Sequence, residues 1–338
     1  MRNNNFLFNF AVSYSGGGFK RLFAYAQWFN QNGGATFIIH PHCTYLITEF
    51  PQNRFIVVKQ SKLQRVFNDC NYLEEVKRKL GTPDVYYSYG IPIYTPFGKK
   101  NWFHLSNVLP LGSKNIPLSL FDKLKLGYLG RRIVSTFNNA DIISAESQFS
   151  IDLIKPHSLK KLIVSVNGSD DELKYISSDS AIEKENIAVV LGTYRYKAIE
   201  DSFGIFETLK EKNPGLKLVI IGNKKMVPKH IQENKQVIMT GLLQRERVIE
   251  YLQKSEYYIS TTYIENSYNA ASEGIFFANE SFISDIAPHR ELLSCLPFET
   301  RSIHNINRSF LHVKKSDISP INLKSWDNVV VDMLKHFS

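Results

Sequence analysis

Apolar runs of strand length alternate with segments of helix length twice along this 338-residue chain, and that rhythm constrains its fold more than any other feature. In the first series the pattern predicts a strand over 6–13, the loop Tyr14-Ser15-Gly16-Gly17-Gly18, a helix over 19–30, the turn Gly33-Gly34 and a strand over 35–40. Further strands are expected over 54–58, 85–89, 102–105 and 141–145, with helices around 73–79 and 149–154. The second series runs from a strand over 187–191 through the turn Gly192-Thr-Tyr-Arg-Tyr-Lys197 to a helix over 199–212 and a strand over 216–221. After it come strands over 237–240, 257–261 and 281–284, a helix over 246–254 and another beginning after Glu265. Between the two series lies 167–185, rich in Ser, Asp and Glu, which reads as a linker region. The expectation is an α/β chain with two doubly wound, parallel sheets.

With 43% hydrophobic residues, 338 positions suffice for two cores. No apolar run approaches the roughly eighteen residues of a membrane span, and the first residues hold no apolar signal-peptide segment, so a cytoplasmic location is expected. Cys43, Cys70 and Cys295 are odd in number and form no C-x-x-C pair; they read as reduced thiols, with neither a disulfide framework nor a cysteine metal site. A net charge of +9 points to an anionic partner. Nucleic acid is not expected, because Lys and Arg are spread along the chain and no nucleic-acid-binding motif is present. In 114–132, Pro117 is expected to open a helix carrying Leu120, Phe121, Leu124 and Tyr128 beside Lys123, Lys125, Arg131 and Arg132. This helix either lies on an anionic bilayer or turns its apolar stripe into the core.

Two features carry chemistry. Gly16-Gly17-Gly18 stands at the first strand-to-helix turn, where an open α/β sheet places ligands and bare backbone can approach them. It lacks the G-x-G-x-x-G pattern, and His40 and His42 occupy the region where a ribose-binding acid would stand, which argues against a nicotinamide fold. The run Ile264-Glu265-Asn266-Ser267-Tyr268-Asn269-Ala-Ala-Ser-Glu273 places two carboxylates around a helix start, with Ser267 and Asn269 as expected caps. The helix's free N–H groups suit a diphosphate, leaving Glu265 for sugar hydroxyls and Glu273 for a ribose.

The spacing of Glu265 and Glu273 resembles the E-x7-E motif of the family 4 retaining glycosyltransferases, and further segments agree along nearly the whole chain. Gly16-Gly17-Gly18 with Arg21 looks like the family's first loop, and His104-Leu-Ser-Asn107 like its histidine segment. Asn167-Gly168-Ser169-Asp170 resembles its N-G-V-D turn, Gly192–Lys197 its diphosphate-gripping turn, and Ser284-Asp285-Ile286 through Arg290-Glu291 its S-D-I-P-x-x-R-E run. Ser325-Trp326 looks like the S-W before a last helix that crosses back to the first domain. The departures are compressed spacing at Arg195 and Lys197, Ala198 in place of a glycine, Asn-Ser-Tyr-Asn after Glu265 where G-F-G is common, and no G-x-P before the S-D-I strand.

The resemblance implies a GT-B fold of two facing Rossmann-like domains. The expected boundaries are 1–166 on the acceptor side, 186–308 for the nucleotide sugar, and 309–338 returning to the first domain. It also implies hexose transfer, with retention, from a nucleotide sugar, UDP-sugar favoured. The acceptor is expected to be lipid-linked or a polysaccharide, as in bacterial O-antigen-type assembly, with peripheral contact to the inner membrane as an option. Glu265 and His104 are the catalytic candidates. Gly16, Gly17, Gly18, Arg195, Lys197, Asn266, Ser267, Tyr268, Asn269 and Glu273 are the donor-binding ones. No cofactor or metal is expected, since no D-x-D pair occurs to hold a cation on the diphosphate. The alternatives are a nucleotide-sugar epimerase or phosphorylase on the same fold, or a non-catalytic sugar-nucleotide-binding partner in an assembly complex.

Overall fold

Phe6–Phe10 are buried along their whole length and form β1, because a strand covered by helices on both faces has no polar side to alternate. In the computed structural model, which describes residues 5–59, 71–176, 182–294, 296–304, 306–317 and 323–337, this strand is an inner strand of the first of two seven-stranded sheets. The other strands of that sheet are β2 (Thr36–Ile39), β3 (Arg54–Val57), β4 (Val85–Tyr89), β5 (Lys100–Leu105), β6 (Ile142–Ala145) and β7 (Lys161–Val164). Their order is β3-β2-β1-β4-β5-β6-β7, all parallel. Helices of more than one turn among these strands are α1 (Gly16–Gln31), α2 (Asn71–Leu80), α3 (Leu120–Ser135) and α4 (Gln148–Ile154).

The chain divides into two units, 1–112 with 123–168 and 324–338, and 113–122 with 169–323. In the first, Phe8, Phe10, Tyr25, Phe29, Phe37 and Trp102 build an aromatic core. Phe8 alone touches the rings of Tyr25, Phe29, Phe37 and Tyr87 at 5.0–5.6 Å, a range where edge-to-face and offset contacts are favourable.

From residue 169 on, the second unit carries α5 (Asp170–Ile176), β8 (Glu185–Leu191), α6 (Ile199–Lys212), β9 (Lys217–Ile221) and β10 (Val237–Gly241). It continues with α7 (Arg245–Lys254), β11 (Ser255–Ser260), α8 (Asn269–Phe277), β12 (Glu280–Ser284), α9 (Ala287–Leu292), β13 (Glu299–Ser302) and β14 (Ser309–Lys314). The strand order is β10-β9-β8-β11-β12-β14-β13, with β14 antiparallel to both of its neighbours. The last helix, α10 (Trp326–Leu334), belongs to the first unit, where Val329, Val330 and Met333 join the core beneath α1. Ser325 caps it by accepting a hydrogen bond from the Asn328 amide. Trp326 packs so closely on Gly168 that an added Cβ there would meet the indole at 2.5 Å, so two motif fragments far apart in sequence form one joint.

Several expectations are corrected. The 167–185 linker region contains α5, whose acidic first turn, Asp170-Asp171-Glu172, stabilises a helix start. Residues 309–323 stay with the second unit, so the segment returning to the first is 324–338 rather than 309–338. The second sheet is mixed rather than wholly parallel. The apolar stripe of α3 does not enter the core: Leu120, Phe121 and Leu124 are 74%, 75% and 67% exposed. Cys43 is buried, while Cys70 and Cys295 lie outside the described residues.

Candidate functional site

The candidate site gathers where β8 and β11, adjacent and parallel, send their loops from the same sheet edge. After β8, Gly192 at φ +81° turns the chain, and a single 3-10 turn over Arg195–Lys197 leads into α6. The loop after β11 holds this turn. Thr261 Oγ1 lies 2.9 Å from the Lys197 carbonyl and 2.7 Å from that of Ala198, Thr262 Oγ1 donates to the Tyr196 carbonyl, and so does the Tyr263 amide. Arg308 braces the same loop by donating to the Thr261 and Thr262 carbonyls and to Asp201 of α6, with its guanidinium 4.1 Å from the Tyr263 ring centre.

That scaffold brings Lys197 to Glu265, 68 residues on, with Nζ and Oε1 2.5 Å apart. Both side chains are mostly buried, 13% and 21% exposed, so the contact lies in a region of reduced dielectric. Arg195, by contrast, is 64% exposed. Tyr194 and Tyr196 stack with centroids 5.6 Å apart, and burial raises the Tyr196 hydroxyl pKa so that it stays protonated at neutral pH. His289, in the first turns of α9, is 1% exposed. Its Nδ1–H donates to the Ser284 carbonyl at 2.8 Å, and burial lowers its pKa to about 4, leaving a neutral imidazole near the pair.

Asn266, Ser267, Tyr268 and Asn269 form the partly buried approach to α8. The expected caps are corrected: Tyr268 occupies the N-cap position, and no side chain caps the helix. Its first amides are thus not taken by a capping side chain. Glu273 is also placed differently from expectation. It is 5% exposed, and its Oε1 lies 2.8 Å from Arg245 Nη2 of α7, while the same guanidinium reaches Asp171 of α5 at 2.7 Å. One function of Glu273 is therefore to anchor α8. Gly274 next to it is needed because a Cβ would sit 1.9 Å from the Tyr258 ring.

The remaining candidates belong to the first unit. The expected glycine loop is corrected: Gly16 (φ +64°), Gly17 and Gly18 are the first residues of α1, the first two exposed, and a Cβ on Gly18 would meet Tyr89 Cε1 at 2.8 Å. His104 is fully buried, its ring stacked on Tyr89 at 5.0 Å and its Nδ1 2.8 Å from Ser144 Oγ. Its Nε2 is 3.6 Å from Glu146, too far for a hydrogen bond, and burial lowers its pKa to about 4. In this position His104 supports β4 and β6 from within the core. Arg21 is equally buried and donates to the Ser165 and Val166 carbonyls and to Asn167 Oδ1, which fixes the Asn167-Gly168 turn.

Reading the sequence missed Arg308, Arg245 and Thr261. Their partners lie 47, 28 and 63–64 residues away, and no local pattern signals such pairings. The Thr261-Thr262 pair directly beyond an apolar strand was the one usable hint, since strand-end hydroxyls commonly bond loop backbone.

Residues 173–273, which hold Arg195, Lys197, Glu265 and Glu273, match the model of the glycosyl transferases group 1 family. No curated protein matches the chain. Among solved structures, sucrose-phosphate synthase from Thermosynechococcus elongatus superposes with a TM-score of 0.59 at 12% identity, covering 84% of this chain and 82% of that one. Anabaena HepE in complex with UDP and glucose gives 0.56 at 12% identity, covering 86% and 83%. The UDP-GlcNAc 2-epimerase of Methanocaldococcus jannaschii gives 0.53 at 11%, covering 98% and 99%. The chain has the GT-B fold, and a segment of its second unit matches the glycosyl transferases group 1 model.

Proposed function

We propose that this chain is a retaining glycosyltransferase that moves a hexose from a nucleotide sugar, a UDP-sugar by preference, to a lipid-linked or polysaccharide acceptor. The observation that carries the reading is the Lys197–Glu265 contact at the carboxyl ends of β8 and β11, inside the segment that matches the glycosyl transferases group 1 model. Lys197, with Arg195 beside it and the uncapped start of α8, supplies fixed positive charge for a departing diphosphate, and Glu265 accepts hydrogen bonds from the sugar's hydroxyls. Retention rests on the family resemblance of the Glu265–Glu273 spacing. The UDP preference is supported by HepE, which carries UDP and glucose in its crystal. Metal independence rests on the missing D-x-D pair and on these fixed cations. The bare apolar face of α3, flanked by Lys123, Lys125 and Arg131, supports peripheral contact with an anionic bilayer and, through it, a lipid-linked acceptor of the O-antigen type.

A second reading, a nucleotide-sugar epimerase, is favoured by the end-to-end coverage of the archaeal 2-epimerase. One experiment separates them. Incubated with labelled UDP-sugars and a bacterial lipid extract, a transferase moves label to the lipid only when extract is present and tolerates EDTA, whereas an epimerase changes the sugar without any acceptor. Glu265→Gln and Lys197→Ala should each lower kcat about tenfold or more, since each removes a hydrogen bond to a charged group worth roughly 1.5–3 kcal/mol. For Lys197→Ala the loss should fall on kcat more than on the donor KM, because the charge it meets grows in the transition state. Wild-type kinetics in both variants would move the site elsewhere.

A further inference from the structure

We propose that Tyr14, His40 and His42 form a saccharide subsite on the first unit that receives a pyranose ring of the acceptor; its role as acceptor site rests on the transferase reading. The strands set its position. The last residues of β1 and β2, Phe10 and Ile39, are paired in register, so the loops beyond them leave the same carboxyl edge, where sheets of this class take ligands. Tyr14 lies in the first of these loops, two residues before the exposed Gly16, and His40 directly follows β2.

The three rings make a corner. Tyr14 and His40 overlap, with centroids 4.4 Å apart and planes inclined by 31°, so the floor is the outer face of this stack, while His42 stands at 78° to His40 with centroids 4.7 Å apart, forming a wall. Tyr14 is 44% exposed, and His42 is exposed too. Aromatic side chains left open in such numbers at a ligand-binding edge offer an apolar face with polar tips, which is what a pyranose requires: its C–H face packs on a ring and its hydroxyls meet donors and acceptors at the rim. The backbone settles the polarity of one rim atom. The His42 amide lies 3.2 Å from His40 Nδ1, which accepts, so the ring hydrogen of His40 is on Nε2. Phe19 and Tyr45, 6.5 Å apart and with Tyr45 49% exposed, extend the aromatic surface along α1 and give a longer glycan further stacking area.

The test uses the whole chain and methyl pyranosides of glucose, galactose, mannose and N-acetylglucosamine as probes, with saturation transfer from the protein's aromatic protons to sugar ring protons as the readout. At least one pyranoside should receive saturation in the wild type. Its affinity should weaken about two- to tenfold in Tyr14→Ala, the range an aromatic contact supplies, and be partly retained in Tyr14→Phe. His42→Ala provides a second variant, and melting curves of all three check that they remain folded. No transfer from any probe, or transfer unchanged in both alanine variants, overturns the proposal. A parallel thermal shift with UDP keeps the two readings apart. A chain that binds UDP but no pyranoside loses the subsite and keeps the transferase. Pyranosides bound through Tyr14 without any UDP shift keep the subsite and remove its acceptor role.

Discussion

Ala198 has φ 47° and ψ 56°, the one non-glycine residue in the left-handed region among those described. It stands where the resembling family's phosphate turn carries glycine. A side chain in this region costs roughly 1–2 kcal/mol, and the carbonyl contacts of Thr261 with Lys197 and Ala198 hold the turn in place regardless. Ala198→Gly should therefore raise the unfolding free energy by about 1 kcal/mol, seen as a higher urea midpoint at unchanged slope. An unchanged or lower midpoint would mean that the strain is already relieved by the alanine's surroundings. At the same scale His104 shows what a residue read singly leaves out. Its segment invites a role at the sugar, yet burial against Tyr89 and Ser144 makes it part of the core, and burial is a property no single residue reveals.

Elements in the second unit are joined by polar clamps. Helix α8 is tied to α7 by Glu273–Arg245 and to α5 by Ser272–Glu172, at 2.8 and 3.0 Å. Glu273→Ala removes the more buried of the two carboxylates at Arg245 and should cost about 2 kcal/mol, because a largely desolvated guanidinium keeps only Asp171. Asp171→Ala, whose side chain is 41% exposed, should cost under about 1 kcal/mol. Thermal melts of the two variants decide the order; equal losses would remove Glu273 from its anchoring role. Helix α3 makes the opposite case, an element whose apolar face has no cover among the described residues. Changing Lys123, Lys125, Arg131 and Arg132 to Gln should release the protein from anionic vesicles, each basic side chain near such a surface contributing about 1 kcal/mol. Equal co-sedimentation of the variant and the wild type would disconnect α3 from the membrane.

At the scale of the whole molecule, each unit contains a histidine whose burial lowers its pKa to about 4, His104 in the first and His289 in the second. Unfolding restores the ordinary value of about 6.5, so between these limits the unfolded chain binds more protons than the folded one. Stability is then fully present above pH 6.5 and falls as the pH drops toward 4. Each histidine contributes on the order of 3 kcal/mol to this loss. Melting temperatures measured from pH 7 to pH 4 should decline through this window, and His104→Asn and His289→Asn should each flatten the decline. A flat profile in the wild type would show that neither group is held neutral.

The βα alternation, the glycine turns and the acidic pair were legible in the sequence because they are local. Apolar period and backbone turns are set within a few residues, and Ile199–Lys212 forms the helix expected there to the residue. Of the four edge strands, β3 and β10 were legible and β7 and β13 were not. β13 is Glu-Thr-Arg-Ser, exposed throughout, and is a strand only because its backbone pairs with β14; β7 is four residues long behind two lysines. The acidic linker turned into α5 because Asp171 and Glu172 found Arg245 and Ser272 about seventy and a hundred residues away. Sequence alone thus determined a chain of two doubly wound units and named Lys197 and Glu265 as candidates. That Lys197 meets Glu265, that Glu273 is held by an arginine and that His104 is sealed in a core were decided by tertiary structure, because burial and ion pairing depend on which distant segments the sheets bring side by side.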